Sequence, residues 1–297
     1  MREFLILFAL IISLNAQEMS ENYQKAMEFE SKKDYENAMF FYKKDAQIYN
    51  SQNSNLDQHR PVNLPFIQTH KENYVLPVSF KNLRDNQKNP ETKFQFSVKK
   101  KLLSEIFGYP ISINGAYTQV SWWQIAKESA PFRETNYMPE IFFEIPIDGG
   151  IIPLDGFDLG FIHQSNGRDG INSRSWNRAY LQTIFNFDNL QIIPKAWLRL
   201  DKEKDNELDD NPYIEHYAGH GSLEINYNFG DYYAKLSVAN NFHFNNTNRG
   251  NVELSVYIPI IKDLAYGMIQ FFNGYHESMI DYDKSTNRIG LGFLIFR

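Results

Sequence analysis

Apolar and polar side chains alternate with a period of two from Tyr74 to the end of the chain. Neighbouring residues of a β-strand point to opposite faces, so this alternation predicts strands with one apolar and one polar face. The clearest apolar rows are Phe94, Phe96 and Val98; Ile141, Phe143 and Ile145; Leu223, Ile225, Tyr227 and Phe229; Val252, Leu254, Val256 and Ile258; and Ile289, Leu291, Phe293 and Ile295. Most of the chain is therefore expected to form amphipathic strands.

The number and spacing of these segments indicate a closed barrel. About twelve segments follow Tyr74, with roughly 18 residues for each strand and its turn, which suits strands that cross a bilayer at a tilt. Tight turns such as 229–231 alternate with longer polar loops such as 201–212. A closed barrel leaves no unpaired strand edge in lipid. We predict an all-β fold, a twelve-stranded antiparallel transmembrane β-barrel with a short α-helical N-terminal extension. A soluble β-sandwich is the competing fold.

The first sixteen residues have the layout of a secretory signal peptide. A charged start at Arg2 and Glu3 precedes an apolar core of about ten residues and a Leu-Asn-Ala end. A buried helix or a membrane anchor is the alternative, but the apolar run is short for a membrane span. We therefore predict a signal peptide over residues 1–16.

Residues 17–60 follow a different pattern. Apolar residues recur at helical spacing in 23–29 and 34–42, and Asp34 is a candidate N-cap between the two helices. The sequence that begins at Asp34, Asp-Tyr-Glu-Asn-Ala-Met, is similar to the second helix of a tetratricopeptide hairpin, although about three such units are needed to bury a core. We predict a helical periplasmic extension, a single hairpin and its linker, over 17–60, and a barrel domain over 70–297.

Composition fits a barrel in a membrane and argues against other classes of protein. The chain has 24 Phe and 18 Tyr although its mean hydropathy is −0.49, as expected when apolar outward and polar inward residues average out. A net charge of −6 without a basic cluster argues against nucleic acid as a partner. The absence of cysteine excludes disulfides and thiol catalysis.

Two reactive residues end one of the apolar rows. Phe157, Leu159, Phe161, His163 and Ser165 share one face of a predicted strand. His163 and Ser165 are two residues apart, so their side chains stand next to each other. A serine hydroxyl becomes an effective nucleophile when a neighbouring imidazole removes its proton. The row therefore predicts a catalytic pair that faces the membrane.

A hairpin after Ser165 is expected to add a third residue to the pair. The run 166–172 is rich in turn residues, and a hairpin centred near Gly170 places Asn177 directly across from His163. An amide oxygen that accepts from the ring N–H fixes the tautomer and leaves the other ring nitrogen free as a base. A register slip of one residue would turn Asn177 to the other face. The alternative is a polar cluster at the barrel rim, next to lipid head groups.

Several motifs resemble the signature of the bacterial outer-membrane phospholipase A family. The central motif is His163-x-Ser165-Asn-Gly, followed by Ser173-Arg-Ser-Trp-Asn177-Arg. The likeness extends to Asn73-Tyr-Val-Leu-Pro77, Tyr117-Thr-Gln119-Val-Ser-Trp-Trp-Gln124, Lys127-Glu-Ser129-Ala-Pro-Phe-Arg-Glu-Thr-Asn-Tyr137, Asp209-Asp-Asn-Pro212 and Glu277-Ser-Met-Ile-Asp-Tyr282. The resemblance runs from Tyr74 to Arg297.

The resemblance implies an enzyme of the bacterial outer membrane. The family is a twelve-stranded barrel that hydrolyses acyl esters of membrane phospholipids with Ca²⁺ and is active as a homodimer. Carried over to this chain, Ser165 is the nucleophile, His163 the base and Asn177 the orienting residue. The backbone N–H of Gly167 is then expected to contribute to the oxyanion hole.

The resemblance also implies calcium ligands. They are the Arg168 carbonyl and the Ser173 hydroxyl, with Ser129 contributed by the partner subunit, and Asp210 as a ligand of a second site in the monomer. Oxygen ligands suit calcium, and a cation beside the scissile carbonyl stabilises a developing oxyanion. The chain differs from the family pattern at Gly170, where the family has an acidic residue, and in a shorter segment between Trp123 and Lys127.

Gln119 and two histidines are further candidates. Gln119 shares strand parity with Tyr117 and Trp123, and the resemblance places it in the dimer contact. A glutamine that faces into the barrel is the alternative. His216 and His220 are expected on the inner face of a strand, as part of a polar interior rather than as metal ligands.

The leading hypothesis is a calcium-dependent outer-membrane phospholipase of A1/A2 type that uses a Ser-His-Asn triad on the outer barrel wall and is activated by dimerisation. One rival is a non-catalytic porin or adhesin barrel in the outer membrane. The other is an esterase of soluble lipids built on a β-sandwich.

Overall fold

A computed structural model of the chain describes residues 21–42, 44, 67–82, 90–147, 153–201, 209–261 and 265–296. The helices before residue 58 belong to one compact unit and the strands to another. The predicted signal peptide at 1–16 and the predicted linker lie outside the described residues. In the described part, no helix is long and apolar enough to cross a membrane.

The described part of the N-terminal unit contains two helices, as the helical spacing predicts. Helix α1 spans Glu21–Ser31 and helix α2 covers residues 35–42. The rings of Phe29 and Phe41 stack with their centroids 5.5 Å apart. Asp34 Oδ1 accepts a hydrogen bond from the backbone N–H of Asn37 at 3.3 Å, so Asp34 caps α2 as predicted. The periplasmic location and the tetratricopeptide likeness of this unit stay predictions.

Among the described residues, thirteen strands form a single antiparallel sheet. Their bounds are β1 Gln68–Thr69, β2 Asn73–Lys81, β3 Glu91–Leu103, β4 Ser112–Trp123, β5 Phe132–Pro146, β6 Leu154–Ser165, β7 Ser175–Phe187, β8 Leu190–Arg199, β9 Gly221–Phe229, β10 Tyr232–Asn240, β11 Gly250–Ile261, β12 Ala265–Gly274 and β13 Thr286–Phe296. The two-residue β1 pairs with β3 alone, whereas β13 pairs with β2 and β3 pairs with β4. The other twelve strands therefore close into a barrel, and the predicted fold is confirmed.

The two ends of the barrel differ in their connections. Longer connections lie at one end, which we call the loop end: 124–131, 166–174, 200–220 (described at 200–201 and 209–220), 241–249 and 275–285. The opposite end includes the two-residue turns between β7 and β8 and between β9 and β10. Gly230 has a φ of +69° in the second of these turns, a conformation that favours glycine. The segment after Ser165 belongs to the loop end.

The outer wall of the barrel is apolar. The alternating rows noted in the sequence supply exposed side chains on many strands, among them Phe96, Ile141, Phe161, Leu254 and Leu291. A belt of exposed apolar side chains around a closed barrel is what contact with lipid requires. The predicted apolar-out pattern is therefore present in the fold.

The inner wall is polar, and several of its buried charges are paired. Lys93 Nζ donates to Gln270 Oε1 at 2.7 Å and lies 3.2 Å from Glu253 Oε2. The almost completely buried Arg288 bonds to both Glu91 and Glu277. Buried charges are tolerated when they have such partners. The lumen is thus filled by a connected set of polar side chains.

A short helix in the 200–220 connection packs into the loop end. Helix α3 spans Ile214–Ala218, and its two terminal residues are buried with Trp176, Trp197 and Met279. His216 lies in α3 and His220 lies in the connection that follows, so the prediction of a strand for these histidines is wrong. The chain here turns inward to bury Ile214 and Ala218, a spacing of four that a period of two does not detect.

Candidate active site on the outer wall

Strands β6 and β7 bring His163 and Asn177 together. The two residues are direct Cα partners across the hairpin, so the register predicted from the turn residues is confirmed. His163 Nδ1 lies 2.8 Å from Asn177 Oδ1. On the same face, Phe161 and Leu181 are exposed. The histidine and the asparagine therefore form a hydrogen-bonded pair on the apolar outer wall.

The surroundings of Asn177 decide which way its amide points. Asn177 Nδ2 donates to Asp201 Oδ2 at 2.8 Å. An ionised carboxylate can only accept, so the amide nitrogen must face Asp201 and the amide oxygen must face His163. His163 then donates from Nδ1, and Nε2 of the neutral ring is left as an acceptor. This is the tautomer that a general base needs.

Ser165 lies on the same strand face as His163, two residues closer to the loop end. Its Cα partners are Tyr137 on β5 and Ser175 on β7. Within the described residues, the Ser165 hydroxyl has no hydrogen-bond partner. The structure therefore places the predicted nucleophile next to the predicted base without joining them by a hydrogen bond.

Asn166 shapes the loop that follows the serine. Its buried side chain donates from Nδ2 to the Asn172 carbonyl at 2.9 Å. Its Oδ1 accepts from the backbone N–H groups of Arg168 at 3.3 Å and Arg174 at 3.0 Å. One side chain thus joins the two sides of the 166–174 connection, which fixes the backbone next to Ser165.

Gly167 occupies a position that strongly favours glycine. Its φ is +64°, and a Cβ there would lie 2.9 Å from the ring of Tyr137. Within the described residues, the Gly167 N–H has no hydrogen-bond partner. A free backbone donor therefore lies two residues after Ser165, as the predicted oxyanion hole requires.

Two of the predicted calcium ligands lie side by side. Ser173 Oγ donates to Asp210 Oδ2 at 2.7 Å, and Ser175 Oγ donates to the same oxygen at 3.2 Å. The Arg168 side chain is directed elsewhere: its Nε lies 3.3 Å from Glu134 Oε2, and Nη2 donates to the Arg133 carbonyl. Hydroxyl, carboxylate and carbonyl oxygens are the ligands that calcium prefers, so this donor set fits the ion.

The site does not resemble a metal centre built from acidic and imidazole side chains. No group of three or more His, Cys, Asp or Glu residues in the described part of the chain could hold a metal. A calcium ion here would depend on hydroxyl and carbonyl oxygens, with Asp210 as the carboxylate at the loop end.

Ser129 is not part of this cluster in a single chain. It is an exposed residue of the 124–131 connection with a φ of +62°. Within the described chain it has no hydrogen bond to Ser173 or Asp210. The structure therefore brings together His163, Asn177 and Ser165, and separately Ser173 and Asp210, but not Ser129.

Gln119 faces outward, so the alternative of an inward-facing glutamine is wrong. It is the Cα partner of Phe96 and Tyr137, which are exposed on the outer wall. Gln119 Oε1 accepts from Tyr117 Oη at 2.9 Å, and Nε2 donates to Ser121 Oγ at 3.2 Å. A short polar row therefore crosses the otherwise apolar surface of β4.

Sequence reasoning missed two residues that support the cluster. Asp201 accepts from Asn177, and the fully buried Asn211 accepts from the Ser175 backbone N–H at 2.9 Å. Both residues lie in the 200–220 connection, where no periodicity relates them to β7. Asn211 lies in the Asp-Asp-Asn-Pro motif, which could have indicated its role. No feature of the sequence indicated Asp201.

These features define the class of the protein. A closed barrel with an apolar outer wall is the architecture of a bacterial outer-membrane β-barrel, and a His–Asn pair and a serine lie on that wall. The family model described as Phospholipase A1 matches residues 41–295. The chain belongs to the phospholipase A1 family, and the predicted resemblance is confirmed.

Individual relatives agree with the family match. A phospholipase A1 of Proteus vulgaris is 38% identical over 218 residues, which cover 72% of each chain. A putative phospholipase A1 of Neisseria meningitidis is 37% identical over 216 residues, 70% of this chain, and this chain spans only 55% of that protein. The solved outer membrane phospholipase dimer of Salmonella typhi, with bound calcium, has a TM-score of 0.70 and 31% identity, and the match covers 82% of this chain and 96% of that one.

Proposed function

We propose that this chain is a calcium-dependent outer-membrane phospholipase that hydrolyses acyl ester bonds of glycerophospholipids at the A1/A2 positions. The observation that carries the proposal is the 2.8 Å hydrogen bond between His163 Nδ1 and Asn177 Oδ1 on the lipid-facing wall, with Ser165 on the same strand face. A catalyst on this wall meets its substrate within the membrane. The family match supports the same chemistry.

Acylation begins with the serine hydroxyl. Ser165 Oγ attacks the ester carbonyl carbon while His163 Nε2 takes the hydroxyl proton. Asn177 holds the ring in the required tautomer, and the Gly167 N–H donates to the carbonyl oxygen as it becomes negative. When the bond to the glycerol oxygen breaks, His163 returns the proton to that oxygen. Lysophospholipid leaves and the acyl group stays on Ser165.

Deacylation repeats the same steps with water. His163 Nε2 takes a proton from a water molecule, whose oxygen attacks the acyl carbon on Ser165. The fatty acid leaves when His163 returns the proton to Ser165 Oγ. The pair is half-buried on the outer wall, where both lipid and interfacial water can reach it.

The calcium ion is proposed to bind the Arg168 carbonyl and the Ser173 hydroxyl, with the partner subunit's Ser129 completing the site. When bound, it supplies positive charge next to the ester carbonyl and so stabilises the oxyanion. Asp210, which contacts Ser173 through a 2.7 Å hydrogen bond, is proposed as the ligand of the monomer form. The similar Salmonella typhi phospholipase, a dimer with bound calcium, supports a bound calcium ion and a dimer.

Release of fatty acid from phospholipid vesicles tests the proposal. The purified barrel in detergent with calcium is expected to release fatty acid, and Ser165→Ala and EDTA are each expected to abolish the release. The control is Ser255→Ala, which removes an inward serine that accepts from Gln270, far from the pair. Full activity in Ser165→Ala would overturn the triad. An inactive wild-type protein that conducts ions through a bilayer would favour the porin alternative.

A further inference from the structure

The carboxylate of Asp201 is hydrogen-bonded to the asparagine of the His163–Asn177 pair. Asp201 Oδ2 accepts two hydrogen bonds from Asn177, one from its backbone N–H at 2.8 Å and one from its side-chain Nδ2 at 2.8 Å. The residue before Asp201 is also bound to this strand, because the Asn177 carbonyl accepts from the Leu200 N–H at 2.9 Å. Asn177 is therefore bound to the start of the 200–220 connection through three separate hydrogen bonds.

The carboxylate of Asp201 is itself fixed by an ion pair with Arg199. Its Oδ1 lies 3.0 Å from Arg199 Nε, and Arg199 Nη2 lies 2.8 Å from Asp209 Oδ1. The side chains of Arg199 and Asp209 are only 2% and 3% exposed, whereas that of Asp201 is 28% exposed. A buried guanidinium between two carboxylates fixes both of them, because its donors lie in one rigid plane.

These hydrogen bonds continue through Asp209 and Asn211 back to strand β7. Asp209 Oδ1 accepts from the Asn211 N–H at 2.9 Å, and Asn211 Oδ1 accepts from the Ser175 N–H at 2.9 Å. Ser175 precedes Asn177 by two residues on β7. The side chains of Asp201, Arg199, Asp209 and Asn211 therefore close a ring of hydrogen bonds on β7 around the site.

We propose that Asp201 is a positioning residue of the active site, acting through Asn177. An asparagine alone can present either its oxygen or its nitrogen to His163, and only the oxygen gives the productive tautomer. The carboxylate removes this ambiguity and adds negative charge behind a neutral amide, which favours the imidazolium that forms during each proton transfer. This inference rests on the proposed phospholipase function.

Steady-state kinetics of Asp201 variants in the fatty-acid assay test the inference. Asp201→Ala is expected to lower kcat by about tenfold to a hundredfold, since small displacements of a catalytic group have effects of this size, with KM unchanged. Asp201→Asn keeps an oxygen acceptor and is expected to recover part of kcat. The matched control is Asp155→Asn at the far end of the same hairpin, where Asp155 accepts from Asn186. It is expected to keep wild-type kcat.

A double-mutant cycle separates positioning from folding. If Asp201 acts through Asn177, Asp201→Ala is expected to change kcat less than about twofold when Asn177 is already alanine. Equal effects in both backgrounds, or a wild-type kcat in folded Asp201→Ala, would overturn the inference. Heat-modifiable gel mobility reports folding, and if Asp201→Ala does not fold, the kcat of Asp201→Asn decides. The activity of Ser165→Ala distinguishes failure of the proposed function from failure of this inference. Full activity in Ser165→Ala contradicts the proposed function. Loss of activity in Ser165→Ala together with a wild-type kcat in Asp201→Ala contradicts this inference alone.

Discussion

The ring of Tyr137 occupies the space that a side chain on Gly167 would need. Its Cε2 atom lies 2.9 Å from the position of a Cβ at residue 167, where φ is +64°. Tyr137 is also the Cα partner of Ser165 across β5 and β6. One strand therefore sets the position of both the proposed nucleophile and the backbone N–H proposed to stabilise the oxyanion.

Gly167→Ala is expected to lower kcat by about a hundredfold, the usual effect of losing one oxyanion-hole donor. The new methyl group must displace either Tyr137 or the loop, and in both cases the N–H moves. Gly230→Ala is the control, because φ there is +69° and nothing lies within 4 Å of the added Cβ. Gly230→Ala also places an alanine at a positive φ, but it lies at the opposite end of the barrel. Similar kcat losses in both variants would contradict the assignment.

Asn177→Asp is expected to reduce activity, although it creates a Ser-His-Asp triad. The new carboxylate would face Asp201 Oδ2, which now accepts from Asn177 Nδ2 at 2.8 Å, and two carboxylates at that distance repel each other. Combining it with Asp201→Asn is expected to restore much of the lost kcat, because the amide introduced at position 201 can donate to the new carboxylate. The kcat values of the two single variants and the double variant check this. A double variant less active than both single variants would contradict it.

The calcium proposal predicts different effects for two neighbouring ligands. Ser173→Ala is expected to raise the calcium concentration for half-maximal activity by about tenfold or more, through loss of a ligand oxygen. Asp210→Asn is expected to weaken calcium binding to the dilute monomer, measured by titration calorimetry, with a smaller effect on the active dimer. Asp188→Asn, in the turn at the opposite end, is the control. Unchanged calcium dependence in both variants would exclude this cluster as the site.

The part of the site that the sequence predicts lies on regular strands. His163, Ser165 and Asn177 follow from a period of two and from one turn, because the side-chain direction of a strand residue is fixed by its parity. Asp201 and α3 could not be predicted in this way. They lie in the 200–220 connection, where tertiary contacts alone decide which residues turn inward, and a polar run there is typical of a solvated loop.

The 275–285 connection contains an acid-sensitive contact with the barrel. Asp281 accepts from Lys81 Nζ at 2.9 Å, from Arg133 Nη1 at 2.6 Å and from Lys284 Nζ at 2.9 Å. Burial alone would raise the pKa of this carboxyl, but the hydrogen bonds from the lysines and the charge of Arg133 lower the pKa to about 2. The ionised carboxylate thus stabilises the fold above the unfolded pKa of about 3.9, and this stabilisation disappears as the pH falls to about 2.

Asp281→Asn is therefore expected to lose about 2 kcal/mol of stability at pH 7 and to lack this part of the acid dependence. Urea unfolding at pH 7, 4 and 2, followed by heat-modifiable mobility or fluorescence, gives the comparison. The exposed neighbour Asp283 provides the control, since Asp283→Asn is expected to keep the wild-type acid dependence. An acid dependence in Asp281→Asn equal to that of the wild type would show that another group is responsible.

The polar row on β4 predicts how the proposed dimer forms. Gln119 is hydrogen-bonded to Tyr117 and Ser121 on a wall that otherwise contacts lipid. Because no water is available in lipid, the other donor and acceptor positions of the Gln119 amide have no solvent partner there. A second copy related by a twofold axis would pair the same row with itself.

Gln119→Leu is expected to weaken dimerisation by about tenfold, since two symmetric hydrogen bonds are lost at about 1 kcal/mol each or somewhat less. Activity at low enzyme concentration should fall and return at higher concentration, because each monomer keeps its His163–Asn177 pair. Calcium-dependent crosslinking and the concentration dependence of fatty-acid release measure the two effects together. Thr183→Ala on β7 is the control, and it should leave both unchanged. A Gln119→Leu protein that crosslinks normally yet is inactive at every concentration would place Gln119 in catalysis instead of in the dimer contact.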